Sequence, residues 1–288
     1  MKNCSRLFET EGEKVISIEN ADCIDWLTEA VASCRRFSVV IADPPDNINL
    51  AYQGHEDSMS HQDYAEFCAS WVAGLSVVCE RGFWVSFNSR NTMVMANAVG
   101  QLLESSSDWK LTICTQVFTF GNQRTKPGLL TNNHRPIWFV SRGKPNFNEV
   151  REPSWRQQNG DKRADPRGKL VSDVFNFARV VGNSKQRRAW HPTQLNEKLV
   201  ERCLLLTTQE GDHVLDIFAG TGTTGRVCRS IGRKCTLVEK SSFYCDKMAE
   251  ELLSGQADSN SAASADQDAN CVDGCDSGAC NGQAEAAV

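Results

Sequence analysis

The 288-residue sequence contains no run of about 18 apolar residues, which argues against a membrane-spanning helix. Residues Met1–Glu13 are polar and mixed in charge, without the apolar centre of a secretion signal, so the expected compartment is the cytoplasm. No internal repeat is visible. Thirteen cysteines are present, but they have no regular spacing and set no disulfide framework. Cys23, Cys68, Cys79, Cys114, Cys203 and Cys228 fall in apolar segments and read as reduced thiols acting as small hydrophobes. Cys271, Cys275 and Cys280 have no adjacent histidine, and no metal site is expected. Their segment, Ser254–Val288, holds six acidic residues and no Lys or Arg. Its Ala/Ser/Asp/Gly composition predicts a disordered acidic tail over 254–288.

What is present describes a globular enzyme of ordinary make-up, 40% apolar and 23% charged. The length suits one sizeable α/β domain with insertions, or two small domains. Without the tail the body carries 31 basic and 30 acidic residues, close to neutral. Within Gly121–Trp190, however, 15 Lys and Arg stand against 5 Asp and Glu, a surface suited to a polyanion. Strands are expected at Lys14–Ile18, Phe37–Ile41, Phe83–Phe87, Leu111–Phe120, Pro136–Val140, His213–Ile217 and Lys234–Glu239. Helices are expected at Ile24–Ala32, Tyr64–Cys79, Leu195–Leu206 and Thr223–Ile231. Gly143–Ala189 is rich in Arg, Lys, Asn, Gln, Pro and Gly, with few periodic apolar positions. A stretch of that length inside a compact protein is usually functional or disordered.

Two loops carry the chemistry. The first follows an apolar strand: Val214-Leu215-Asp216-Ile217-Phe218-Ala219-Gly220-Thr221-Gly222-Thr223-Thr224-Gly225. A strand running through glycines into a helix lets backbone approach a ligand closely. Gly220 and Gly222 omit side chains where a cofactor would press on the turn. Thr223 and Thr224 at the helix start offer donors to a carboxylate. The spacing is not that of a phosphate-binding loop and no lysine follows, so a nucleotide without phosphates fits better. Asp216 would repel phosphate but can pair with an ammonium group. Glu239, ending the next strand, can accept hydrogen bonds from both ribose hydroxyls. An amino acid joined to adenosine meets all of these demands, which points to S-adenosyl-L-methionine.

The second loop is Ala42-Asp43-Pro44-Pro45-Asp46-Asn47-Ile48, again directly after a buried strand. Consecutive prolines stiffen the turn and leave carbonyl groups unpaired. Asp43 and the Pro44 carbonyl could accept hydrogen bonds from one exocyclic amino group, aiming its lone pair at an electrophilic methyl.

Together these motifs resemble the amino-group DNA methyltransferases, and the order, catalytic motif first and cofactor motif last, resembles their β group. Trp190-His191-Pro192-Thr193-Gln194 is similar to the H-P-T-Q-K-P segment of that group, and Asn20-Ala21-Asp22-Cys23-Ile24 to its G-D-C-L/M segment. The resemblance spans roughly residues 14–253. It implies a Rossmann-like S-adenosylmethionine-dependent methyltransferase sheet over 1–253, with 121–190 as an inserted target-recognition region. It implies that Asp216, Phe218, Gly220, Gly222, Thr223, Thr224 and Glu239 hold the cofactor, with Asp22 at its adenine and His191, Thr193 and Gln194 at its methionine end. Asp43, Pro44, Pro45 and Asp46 would form the catalytic loop.

Two departures stand out. The family usually has Tyr or Phe after the prolines, stacking on a flipped-out base, and Asp46 stands there instead. A carboxylate cannot stack, so either Asp46 hydrogen-bonds the base or another group holds it, Tyr52 being a nearby aromatic. Leu195-Asn196 also replaces Lys-Pro. The implied partner is double-stranded DNA, contacted by Arg124, Lys126, Arg135, Arg156, Arg163, Arg167, Arg187 and Arg188; a homodimer and a cognate restriction enzyme are compatible partners. No Pro-Cys dipeptide occurs, which argues against the cysteine nucleophile of ring-carbon cytosine methylation. Adenine N6 is the expected target, because the family's adenine enzymes tend to carry Asp before Pro-Pro. Cytosine N4, a DNA-binding relative with impaired catalysis, and an RNA or protein-amide substrate are the alternatives.

Overall fold

In the computed structural model the described residues are 5–10, 13–54, 56–118, 128 and 130–254. They begin with an antiparallel hairpin of β1 (Ser5–Thr10) and β2 (Glu13–Asn20). Asp22 then accepts the Ile24 amide and caps α1 (Cys23–Ala32), whose Cys23, Trp26, Leu27 and Ala30 are buried. The apolar run forms β3 (Phe37–Ala42), every residue of which is buried, as a strand covered on both faces requires. The two prolines end it, because Pro lacks the amide needed for further pairing. Ser60 caps α2 (His61–Val78), which turns Tyr64, Cys68, Trp71, Val72, Leu75 and Val78 inward. There follow β4 (Cys79–Ser86), α3 (Thr92–Ser105), β5 (Trp109–Val117) and β6 (His134–Arg142). The basic segment then contributes β7 (Arg151–Glu152), α4 (Trp155–Gln158), β8 (Lys169–Leu170) and β9 (Val174–Asn176). The chain closes with α5 (Glu197–Thr207), β10 (His213–Asp216), α6 (Thr223–Ser230), β11 (Lys234–Glu239) and α7 (Ser242–Ser254).

Nine strands form one sheet in the order β1-β2-β11-β10-β3-β4-β6-β5-β9. Strands β2, β11, β10, β3 and β4 are mutually parallel, whereas β6 runs antiparallel to both β4 and β5. Alternation along the strands divides the core. Val40, Ala42, Phe83, Val85 and Leu215 face α1, α2 and α3, while Val39, Ile41, Trp84 and Val214 face α5, α6 and α7. This is the expected α/β sheet. Its neighbours β3 and β10 continue in opposite directions, β3 through α2 to β4 and β10 through α6 to β11. Such a reversal opens a crevice at the carboxyl ends of the two strands, the usual ligand position in open α/β sheets. Asp216 pairs in register with Ile41, so the two loops leave the sheet side by side.

Several expectations change. Helices α3 and α7 occur where none was expected, as does β1. β6 lies within 121–190 yet is an inner strand of the sheet, so that region is not wholly an insertion. Cys23, Cys68, Cys79, Cys114, Cys203 and Cys228 are buried free thiols, and burial pushes the Cys68 thiol up to about 11. Among the described residues no helix is long and apolar enough to cross a membrane. The acidic tail with Cys271, Cys275 and Cys280, together with Arg124 and Lys126, lies outside the described residues.

Candidate active site

A cavity of about 1040 Å³ occupies the crevice and is lined by both loops. On its β10 side Asp216 is 4% exposed. Its carboxylate accepts the Phe218 amide at 2.9 Å and the Thr224 hydroxyl at 2.5 Å. Burial raises its pKa to about 7 against the pull of those two bonds. Glu239, at the end of β11, accepts the Gly220 amide at 2.9 Å and the Ser241 amide at 2.8 Å. Burial raises its pKa too, with the backbone bonds opposing. Asp22 caps α1 and pairs with Lys240 at 3.1 Å.

Both glycines are also required by the protein's own packing at this turn. Gly220 (φ +49°) and Gly222 (φ +73°) both adopt left-handed backbone. A Cβ on Gly220 would stand 3.1 Å from His191 Nε2, and one on Gly222 would stand 2.9 Å from Met248 Cγ of α7. Thr223 shares a hydrogen bond with Thr221 at 3.0 Å, and Phe218 packs edge-on against Phe67 and Trp71.

The His191–Gln194 segment closes the same side. His191 packs on Tyr244 at 4.5 Å and on Tyr52 at 5.6 Å between ring centroids, and its Nδ1 bonds the Thr193 carbonyl. Gln194 is committed to the protein, accepting the Arg188 amide and donating to the Gln186 carbonyl. This half of the cavity offers buried carboxylates, with Lys240 held by Asp22. Anionic phosphates would be repelled there, and a cationic amino acid linked to a ribose fits the donors and acceptors present.

On the β3 side Asp43 is half-buried. Its pKa is raised by burial, lowered by Arg135 and raised by Asp46. Tyr64 donates to the Pro45 carbonyl at 2.8 Å, fixing the rigid turn on α2. Asp46 points inward, 6% exposed. It accepts the Asn88 amide at 2.9 Å and Arg135 Nη1 at 3.0 Å. Asp57, an unforeseen residue, accepts the amides of Asn47, Ile48 and Leu50 and shapes the segment after the prolines. Tyr52 lies against the His191 segment, its hydroxyl 3.4 Å from Thr193 Oγ1.

The expected DNA-contacting residues fall into different environments. Arg135 is turned into the cavity and held by Asp43 and Asp46, because antiparallel β6 brings its first residues to the carboxyl end of β4. That placement removes it from an outward phosphate-contacting role. Arg188 is tied to Glu251 of α7 at 2.6 Å. Arg163 and Arg167 are exposed beside Asp161 and Asp165, Arg156 is exposed, and Arg187 is half-buried. Of the six that are described, only Arg135 lines the cavity. Three cations outside that set do so: Arg90, Lys240 paired with Asp22, and Arg179 stacked over Phe118 at 5.5 Å.

Comparison with known proteins agrees with this geometry. Residues 37–251 match the family model described as DNA methylase of the N6/N4 type. The type II methyltransferase M.ScaI of Streptomyces caespitosus is 26% identical over 226 residues, covering 73% of each chain. The crystal structure of the M1.HpyAVI–SAM complex aligns with TM-score 0.59 at 18% identity, covering 82% of this chain and 98% of that one. The PvuII DNA methyltransferase, cytosine-N4-specific, aligns with TM-score 0.60 at 16% identity, covering 82% of this chain and 86% of the other. The family match extends from β3 into α7 and so includes both loops. The chain therefore belongs to the amino-group DNA methylase family, which transfers methyl groups from S-adenosylmethionine to DNA.

Proposed function

We propose that this chain methylates the N6 amino group of adenine within a specific sequence of double-stranded DNA. The observation that carries the proposal is the meeting of Asp43 and Asp216 at the carboxyl ends of adjacent parallel strands, in one cavity. S-adenosylmethionine supplies an electrophilic methyl group. Asp216, Glu239, Gly220 and the His191–Thr193 segment would hold it, with Asp22 near the adenosine end. The Asp43 carboxylate and the Pro44 carbonyl accept hydrogen bonds from the target amine, which localises the nitrogen lone pair. Orientation and electrostatic preorganisation in a partly water-excluded cavity supply the acceleration.

Arg90 and Arg179 at the cavity, with exposed Arg156, Arg163 and Arg167, form the proposed DNA-facing set. The type II designation of M.ScaI supports a restriction enzyme of matching specificity as a functional partner. Single-molecule sequencing of DNA from cells expressing the chain tests the base and the site together. N6-methyladenine at one motif is the expected result, absent from cells expressing Asp43→Ala. N4-methylcytosine would replace the base assignment, and no modification would favour a DNA-binding relative without transfer activity.

A further inference from the structure

Asp43, Asp46 and Arg135 form a charge cluster joining the loop after β3 to the start of β6. Arg135 Nη2 donates to Asp43 Oδ1 at 2.7 Å and to Asp46 Oδ1 at 3.2 Å. Its Nη1 donates to Asp46 Oδ2 at 3.0 Å, and its Nε donates to Ser86 Oγ at 2.7 Å. Asp46 is fixed in turn by the Asn88 amide and, through its carbonyl, by Asn91 Nδ2 at 2.7 Å. The side chains of Arg135, Asp43 and Asp46 are 21%, 22% and 9% exposed. Solvent therefore screens the cluster little, and one cation must serve two anions.

We infer that Arg135 is a positioning residue for methyl transfer: anchored by Asp46, it fixes the Asp43 carboxylate in one orientation and supplies its counter-charge. The inference rests on the reading of Asp43 as the acceptor for the target amine. Carboxylates that share one site repel each other, and a cation between them relieves that repulsion. Guanidinium is the suitable cation, because it does not deprotonate and its planar fork reaches both partners at once. On this account Asp46 faces inward because it holds Arg135, and it is not available to a stacked base.

The charged and titratable groups around Asp43 are Arg135 from β6, Asp46 and Tyr52 from its own loop, and Asp216 from β10. Ser86 of β4 adds a hydrogen bond. Burial favours the neutral acid, Arg135 opposes it, and Asp46 supports it. Opposite signs follow for the two partners. Removing Arg135 must raise the Asp43 titration. Converting Asp46 to an amide must lower it, since Asn removes a negative charge and keeps a carbonyl for Arg135.

The test follows the Asp43 carboxyl carbon by NMR in protein labelled at aspartate, identified with Asp43→Asn, beside the pH profile of methyl transfer. Arg135→Met is expected to move the Asp43 titration and the acid limb of kcat upward by about one pH unit or more. That shift is a tenfold rate loss below the limb. Arg135→Lys should move both in the same direction by less, and Asp46→Asn should move them downward. If Arg135→Met does not fold, the other two variants carry the test. A purely structural role would lower Tm and depress kcat equally at every pH. An unmoved Asp43 titration in folded Arg135→Lys, or shifts of one sign in Arg135→Lys and Asp46→Asn, would overturn the inference. Absence of transfer by the wild-type chain at every pH would instead overturn the functional reading on which it rests.

Discussion

Asp216 is a carboxylate whose ionisation the fold opposes. Its folded pKa of about 7 lies above the ordinary carboxylate value, so between the two the folded chain retains a proton that the unfolded chain has released. Stability at this residue therefore falls as pH rises from about 4 to about 7. A bound cation reverses that cost by favouring the ionised form. The rise in Tm produced by S-adenosylmethionine should accordingly be larger at pH 8 than at pH 6, as differential scanning fluorimetry would show. In Asp216→Asn the rise should be smaller and lose its pH dependence, with cofactor affinity reduced about 10-fold or more. Asp57 makes a second prediction at this scale. Replacing it with Ala leaves the Asn47, Ile48 and Leu50 amides without their acceptor, so transfer should fall at least tenfold while far-UV circular dichroism stays unchanged. The Asp43–Asp46 and Asp216–Gly225 loops were legible in sequence because each is a contiguous motif ending a strand. The inward turn of Arg135 and the work of Asp57 were not, since both depend on partners brought near by folding.

At the scale of elements, α7 supports the proposed cofactor turn. Met248 fills the space above Gly222, and Tyr244 of the same helix packs on His191 and accepts the Gln53 amide at 2.9 Å. Gly222→Ala combines a left-handed backbone with a methyl 2.9 Å from Met248 Cγ. It should cost about 1–3 kcal/mol in urea unfolding and weaken cofactor binding; Gly222→Ala with Met248→Ala should recover part of the loss. Neither α7 nor α3 was expected. Val94, Met95, Ala98, Val99 and Leu102 of α3 do recur at helical spacing, so that helix was readable in principle. The role of α7 against Gly222 was not readable, because it is a tertiary contact between segments with no shared periodicity. β6 presents the same limit: its apolar run marks a strand, but only antiparallel pairing with β4 places Arg135 at the site.

For the whole molecule, the distribution of charge matters more than its total of −5. The proposed DNA-facing set is basic, whereas 254–288 carries six acidic residues and no basic ones. Removing 255–288 should tighten non-specific DNA binding at low salt, and binding of either form should weaken steeply as salt rises. A fluorescence anisotropy titration at several salt concentrations measures both effects. The sheet order explains why one cavity serves two loops so distant in sequence, since β3 and β10 are neighbours at the reversal point. The central claim is that the β10 side binds the methyl donor and the β3 side presents the amine. It is tested most directly by incubating DNA with radiolabelled S-adenosylmethionine, digesting it to nucleosides, and measuring cofactor binding by calorimetry in parallel. Label in N6-methyl-2′-deoxyadenosine with the wild-type chain is predicted, with Asp43→Ala losing transfer while keeping cofactor affinity within about threefold. Full transfer by Asp43→Ala, or loss of cofactor binding along with transfer, would contradict this division of the site.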